Sequence, residues 1–258
     1  MKKTFFFLVL YFLFFTSGSA SADEWRIVKS AHFIIHYKSA PEDFIKQVMN
    51  KSEDLYNKIA DELGFRRFDF WLWDKRAKVY IWDNALDYQA GTGQPSWSSG
   101  CALAREKIIQ TFPYAEGFFE TILPHEMGHI IFREFVGFEN KAIPLWLDEG
   151  IASYQEKARY SNIGKLLKES IRNGKFMNLE ELTGSNTYLT ADSNNVQLFY
   201  AEAFSLVNFL IGEFGRDKFV FFCQNLRDKK NLERALVSGY PFRNLKELDL
   251  AWQDYLKK

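Results

Sequence analysis

The chain has 258 residues, and its 33 lysine and arginine side chains balance 33 aspartate and glutamate side chains. That length suits one domain or one domain folded as two lobes, and an apolar content of 47% excludes an intrinsically disordered chain. A net charge of zero excludes the strongly basic class of nucleic-acid-binding proteins. We therefore expect no nucleic-acid partner.

The first 22 residues have the pattern of an export signal. Lys2 and Lys3 precede an unbroken apolar run from Phe5 to Phe15, and Ala20-Ser21-Ala22 fits the small-residue cleavage pattern. The alternative is a membrane anchor, but a bilayer span takes about 20 apolar residues. We predict cleavage before Asp23 and an exported protein, periplasmic or secreted, without a stable membrane span after signal removal.

Cys101 and Cys223 are the two cysteines of the chain. Export permits a disulfide between them, and two buried thiols are the equal alternative. Two cysteines do not make a zinc–thiolate cluster.

The predicted elements change from strands to helices along the chain. We predict strands at residues 25–29, 32–38, 68–73, 77–82, 101–104 and 107–112. A helix that opens near Pro41 and stops at Gly64 separates the second strand from the third. We predict later helices at about 116–136, 144–160, 161–173, 196–214, 216–228, 230–237 and 244–257.

A polar loop is predicted at residues 183–195. Strands followed by helices favour an α+β arrangement instead of βαβ winding. We therefore expect a sheet-containing lobe with the metal-binding helices at residues 23–182 and a helical C-terminal lobe at residues 183–258.

The segment His125-Glu126-Met127-Gly128-His129 predicts a metal site. On a helix, residues four apart lie on one face, so both imidazoles can reach one zinc ion. Glu126 can then take a proton from water. The chain has four histidines, and chance alone gives this pattern on the order of once in a few hundred. The alternative is a helix that carries two histidines without a metal.

Tetrahedral zinc needs a third protein ligand and leaves one position for water. Phe132 and Phe135 occupy the glycine and histidine positions of the extended three-histidine motif. No histidine follows His129, so a carboxylate must serve. The next predicted helix offers Glu149, facing the first helix, and Asp148, which points about 100° away.

The segment His125–His129, followed by Leu147-Asp148-Glu149-Gly150-Ile151-Ala152, resembles the gluzincin metallopeptidases. The closest likeness is to the peptidase MA-like domains, related to the aminopeptidase N type. The resemblance implies zinc-dependent peptide hydrolysis with one Zn²⁺ per chain. It also implies a zincin-like α+β fold with an N-terminal mixed sheet, an active-site helix and a helical C-terminal lobe.

The resemblance selects Glu149 instead of Asp148 as the third ligand, because the family pattern is a Glu-Gly pair. It also points to Glu156, two helical turns further on, as a carboxylate that orients a ligating histidine. The alternative for Glu156 is an ordinary solvated residue.

The segment Tyr200-Ala201-Glu202-Ala203-Phe204 resembles the family helix whose tyrosine donates to the oxyanion of the tetrahedral intermediate. The resemblance therefore implies a catalytic role for Tyr200. The alternatives are a core aromatic at Tyr200 and a donor role for Tyr188 in the polar loop. No Gly-x-Met-Glu-Asn segment precedes the zinc helix, which favours an endopeptidase over an aminopeptidase.

Other classes remain beside a peptidase with a peptide or protein substrate. They are a zinc-bearing binding or structural module without turnover, an exported scaffold without metal, and an amide hydrolase acting on cell-wall peptides. A non-catalytic module does not need Glu126 or Tyr200, so the presence of both favours the enzyme.

Three further features carry weaker expectations. His32 and His36 lie on one face of a strand but about 13 Å apart, so we interpret them as strand residues and not as a metal site. Lys107–Phe112 is either a sheet edge that pairs with extended substrate or an internal strand. Pro124 either begins the zinc helix or kinks a longer one.

Overall fold

The computed structural model describes residues 24–65, 71–156, 163–184 and 193–257. Five strands form one sheet in the order β1-β2-β3-β5-β4. The strands are β1 (Arg26–Lys29), β2 (Phe33–Tyr37), β3 (Ala77–Ile81), β4 (Gly100–Leu103) and β5 (Ile108–Thr111). A small sheet and a mostly helical remainder confirm the α+β class.

The sheet is mixed, and its three central strands are parallel. Strand β3 pairs in parallel with both β2 and β5, while β1 and β4 are antiparallel edges. The 22-residue helix α1 (Glu42–Leu63) connects β2 to β3, because parallel neighbours require a long crossover. The predicted absence of βαβ winding is therefore wrong for this unit.

The edge strand differs from the one proposed from the sequence. Strand β5, within the predicted segment Lys107–Phe112, lies between β3 and β4. The hypothesis that this segment is the sheet edge is wrong. The edge is β4, which forms the predicted hairpin with β5.

The structure confirms the predicted boundaries of helix α1. Phe44, Val48 and Ile59 recur at helical spacing on its buried face. The helix ends at Gly64, which takes the left-handed conformation (φ 71°) that glycine adopts without strain. Phe33 and Ile35 of β2 belong to the same buried core, so α1 covers one face of the sheet.

The other described α-helices follow in chain order. They are α2 (Ala85–Thr92), α3 (Leu123–Val136), α4 (Leu145–Tyr154), α5 (Ile163–Arg172), α6 (Leu179–Gly184), α7 (Ser193–Phe214), α8 (Arg216–Lys229), α9 (Leu232–Gly239) and α10 (Leu245–Lys257). The sequence patterns did not predict α2 and α6. Within the described ranges, no helix combines the length and apolar character that a membrane crossing requires.

Several predictions lie wholly or partly outside the described residues, among them the export signal at residues 1–22. The predicted strand at 68–73 is described only at its end, where Trp73–Lys75 forms a 3₁₀ turn. Tyr188 and the centre of the predicted polar loop also lie outside. Helix α4 ends at Tyr154, before the predicted residue 160.

Both cysteines are free thiols, so they form no disulfide with each other. Cys101 is half-buried on β4, and Cys223 is buried on α8. The core that contains Cys223 is apolar. Cys223 therefore fits the role of a small buried apolar side chain.

Candidate metal centre

Helix α3 follows directly from a π-helical turn at Phe118–Ile122. Pro124 occupies the first turn of α3, where a missing N–H breaks no helical hydrogen bond. Pro124 is therefore the second residue of α3, and helical backbone precedes it in the π-turn. Single π-turns of this kind are frequent at functional sites.

Three side chains from two helices converge on one point. His125 and His129 of α3 lie one turn apart, and their Nε2 atoms are 3.2 Å from each other. Glu149 of α4 places its Oε2 atom 3.5 Å from each of those nitrogens. These three ligand atoms lie within 4.8 Å of one another, as ligands of one metal ion must.

The donor set and spacing fit zinc. Zn–N and Zn–O bonds of about 2.0–2.2 Å in tetrahedral geometry separate neighbouring ligand atoms by about 3.3–3.6 Å. The observed separations of 3.2 and 3.5 Å match that requirement. The Oε2 atom of Glu149 is buried and has no hydrogen-bond partner in the described structure, which is costly unless a cation binds it.

Close helix packing brings Glu149 to this point. A Cβ atom on Gly150 would lie 2.5 Å from the carbonyl oxygen of Ala203 on α7, so only glycine permits this approach. A Cβ atom on Gly128 would lie 3.0 Å from Cα of Ala152, which reflects close contact between α3 and α4. Both glycines neighbour site residues, so α3, α4 and α7 form the frame of the site.

A second carboxylate supports each histidine. Glu156 Oε1 accepts a hydrogen bond from His125 Nδ1 at 2.6 Å. Asp148 Oδ1 lies 3.2 Å from His129 Nδ1, and its Oδ2 accepts hydrogen bonds from Arg133 at 2.7 and 3.1 Å. Such partners fix the tautomer and orientation of metal-ligating imidazoles.

Two open expectations are answered by this arrangement. Glu156 is buried, so the interpretation as an ordinary solvated residue is wrong. Asp148 does not join the cluster that Glu149 forms with the two Nε2 atoms but lies behind His129. The sequence pattern did not single out Arg133, although it lies four residues after His129 on the same helix face.

Glu126 projects from α3 beside the histidines. Burial raises the pKa of its carboxyl group, although the neighbouring histidines oppose the rise. Burial likewise raises the pKa of Cys101 on the edge strand, and the charge of Glu126 adds to that rise. Glu126 therefore lies close enough to β4 to influence it electrostatically.

Burial opposes ionisation of Glu149, but its contacts with His125 and His129 outweigh burial and lower its pKa. Glu149 therefore stays ionised, as a metal ligand must. The pKa is raised for Glu126 and lowered for Glu149, so two neighbouring carboxyl groups acquire different roles from their surroundings.

Tyr200 of α7 lies at the border of the site. Its ring centroid is 6.5 Å from that of His125, and the ring is partly exposed. The structure therefore does not support the alternative that Tyr200 is only a core aromatic residue. Tyr188 lies outside the described residues.

Two histidines lie elsewhere. His32 Nδ1 is 2.6 Å from Glu53, and the His36 ring stacks on Tyr80 at 4.4 Å. Neither belongs to the described group of possible metal ligands.

Comparison with protein-family models gives a match. The family model of the Peptidase MA superfamily matches residues 72–258, a span that contains all the site residues described above. A search of curated proteins finds no match.

Proposed function

Because the chain belongs to the Peptidase MA superfamily, we propose that it is an exported zinc-dependent endopeptidase of the gluzincin type with a zincin-like fold. The convergence of His125, His129 and the unpartnered Glu149 oxygen carries the proposal. The export signal pattern of the first 22 residues supports action in the periplasm or outside the cell.

His125, His129 and Glu149 would hold one zinc ion, with Glu156 and Asp148 orienting the two imidazoles. A zinc ion bound there supplies Lewis-acid chemistry to a peptide carbonyl and acidifies water. Three protein ligands leave one coordination position open, which distinguishes a catalytic from a structural zinc site.

Glu126 would act as general base and then as general acid. Its carboxylate takes the proton of the attacking water, and the resulting carboxylic acid gives that proton to the leaving amine. The raised pKa of buried Glu126 suits both steps, because it brings the group nearer to neutral pH.

Tyr200 would donate a hydrogen bond to the oxyanion of the tetrahedral intermediate. The phenol is a neutral donor at pH 7, and its ring lies beside His125. A preorganised donor of this kind is worth roughly 10²–10³ in kcat.

The edge strand β4 would bind extended substrate. Its outer side pairs with no other strand of the described sheet, and Cys101 on this strand lies within the electrostatic reach of Glu126. Main-chain pairing gives affinity with little side-chain selectivity, which suits a peptide or protein substrate of varied sequence.

The endopeptidase assignment is tested with matched peptides. Zinc-loaded protein is given a peptide mixture twice, once with free and once with acetylated amino termini, and the products are identified by mass spectrometry. We expect internal cleavage at equal rates in both mixtures. Release of single residues from free termini alone would contradict the assignment, and hydrolysis of cell-wall peptides alone would favour the amide-hydrolase alternative.

A further inference from the structure

A cavity that shares no residue with the candidate metal centre lies at the carboxyl ends of β2 and β3. Its volume is about 320 Å³, and its lining residues are Lys38, Trp82, Asp83, Asp87, Ala90 and Gly91. They follow the ends of two parallel strands or belong to α2.

Helices follow both strands at this point. Helix α1 follows β2 and covers the face that contains Ile35 and Val79. Helix α2 follows β3, and its Gly91 lies against the indole of Trp82. The cavity therefore lies at the carboxyl ends of two neighbouring parallel strands, the end at which ligands bind in open α/β sheets.

The indole of Trp82 is held in a fixed orientation. Its Nε1 atom donates a hydrogen bond to Gln110 at 3.1 Å, and Trp25 meets the ring edge-on at 5.3 Å. A Cβ atom on Gly91 would lie 2.1 Å from the Trp82 ring, so only glycine lets the ring lie there. The ring is partly exposed and lines the cavity, which makes it a preorganised apolar surface.

The polar lining is also positioned by local bonds. Asp83 Oδ1 accepts a hydrogen bond from the Ser39 N–H at 2.9 Å, and Asp87 Oδ2 accepts one from Asn84 at 2.8 Å. Each bond fixes one oxygen and orients the other oxygen of the same carboxylate. The ammonium group of Lys38 also lines the cavity, and it lies over the Trp25 ring at 5.5 Å from the ring centroid. Its N–H groups make it the cationic donor of the cavity wall.

We propose that this cavity binds a neutral saccharide of one or two rings. A cationic ligand would meet Lys38, and an anionic ligand would meet Asp83 and Asp87. A neutral polyhydroxylated ring uses every part of the lining, since its hydroxyl groups donate to the carboxylates and accept from Lys38. Its C–H face packs on Trp82, and a few placed polar groups in a concave apolar site are typical of ligand pockets.

The test is a titration followed by nuclear magnetic resonance of the indole N–H groups in ¹⁵N-labelled protein. The probes are glucose, N-acetylglucosamine, maltose and cellobiose, with tetramethylammonium and acetate as charged comparisons. We expect at least one sugar to shift the Trp82 signal saturably, with a Kd on the order of 1 mM. Trp97 is 83% exposed and reports non-specific stacking, so its signal should not move.

Two variants locate the binding. Ala90→Leu fills the cavity from the exposed surface of α2, and Asp87→Asn removes one acceptor charge; each should weaken binding by about 10-fold or more. Ala31→Leu is the matched control, because it adds the same side chain at an exposed position on the amino-terminal side of β2 and should bind like the parent.

Several results would overturn the proposal. They are the absence of a saturable Trp82 shift with every sugar, equal shifts at Trp97, saturation by a charged probe alone, and unchanged binding in Ala90→Leu. The titration requires neither metal nor peptidase activity, so its failure is distinguishable from failure of the proposed function.

Discussion

At the scale of single residues, the support behind each histidine is as informative as the three converging ligands. One carboxylate oxygen of Asp148 accepts a hydrogen bond from the Arg133 guanidinium, and the other oxygen lies 3.2 Å from His129 Nδ1. Glu156 is almost fully buried beside His125. A buried carboxylate is costly unless its partners are fixed, so these contacts indicate that the imidazoles are held in place before a metal binds.

We predict that Asp148→Asn and Glu156→Gln each weaken zinc binding by about 10–100-fold, because each removes the charge that orients an imidazole. Competition with a chromogenic chelator measures the change. Glu120→Gln on the exposed side of the π-turn is the control and should bind zinc like the parent. Parental affinity in both buried variants would show that the carboxylates do not support the ligands.

Glu202 gives a pH-dependent prediction. Burial raises the pKa of its carboxyl group to about 9, and its Oε2 atom has no hydrogen-bond partner in the described structure. The folded protein therefore keeps a proton that the unfolded chain releases above about pH 4.5, at a cost of up to about 3 kcal/mol at pH 7. Because the folded state takes up this proton, the stability of the fold falls as pH rises from about 4.5 to 9.

Glu202→Gln should therefore raise the melting temperature at pH 8 more than at pH 5, because glutamine needs no proton. Thermal unfolding at both pH values measures the difference. Glu213→Gln, at an exposed position of the same helix, should show no such pH dependence. An equal effect of Glu202→Gln at both pH values would mean that Glu202 is not protonated in the folded protein.

At the scale of elements, the close contact of α4 with α7 holds Glu149 and Tyr200 in one site. Gly150→Ala should destabilise the protein by roughly 1–3 kcal/mol, because the added methyl group meets the Ala203 carbonyl oxygen. Denaturant unfolding measures the loss. Gly212→Ala on α7 has no atom within 4 Å of the added carbon and should instead stabilise by roughly 0.5–1 kcal/mol. An unchanged free energy of unfolding in Gly150→Ala would contradict the packing argument.

The sequence predicted the elements whose signals are local. Helix α1 follows from apolar spacing that ends at Gly64, and the His125–His129 pair follows from one helical turn. Helix α2 was missed because eight residues hold too few apolar positions to show a period. Its cap is a local signal, since the Asn84 side chain accepts from the N–H groups of Leu86 and Asp87.

Relations between distant segments could not be predicted in the same way. The parallel pairing of β2 with β3 depends on how α1 returns across the sheet, which periodicity does not encode. The contact of Arg133 with Asp148 joins two helices. Glu149 was selected over Asp148 by resemblance to a family pattern, and the packing of Gly150 supplies the physical reason that spacing alone lacked.

At the scale of the whole molecule, a bound metal would cross-link α3 and α4 through His125, His129 and Glu149. Zinc at a free concentration of 100 times its Kd should stabilise the fold by about 2.7 kcal/mol. The melting temperature should rise with zinc and fall with a chelator in the parent, and His129→Ala should respond to neither. A melting temperature of the parent that changes with neither zinc nor the chelator would argue against a metal site.

The central claim is that His125, His129 and Glu149 bind zinc while Glu126 transfers the proton. The most direct measurement compares zinc content and peptide cleavage in the parent and in Glu126→Gln, purified side by side. The change keeps size and ligands but removes the general base, so we expect one zinc per chain in both proteins and a loss of roughly 10²–10⁴-fold in kcat in the variant. Equal cleavage by both proteins, or a parent without zinc, would contradict the account.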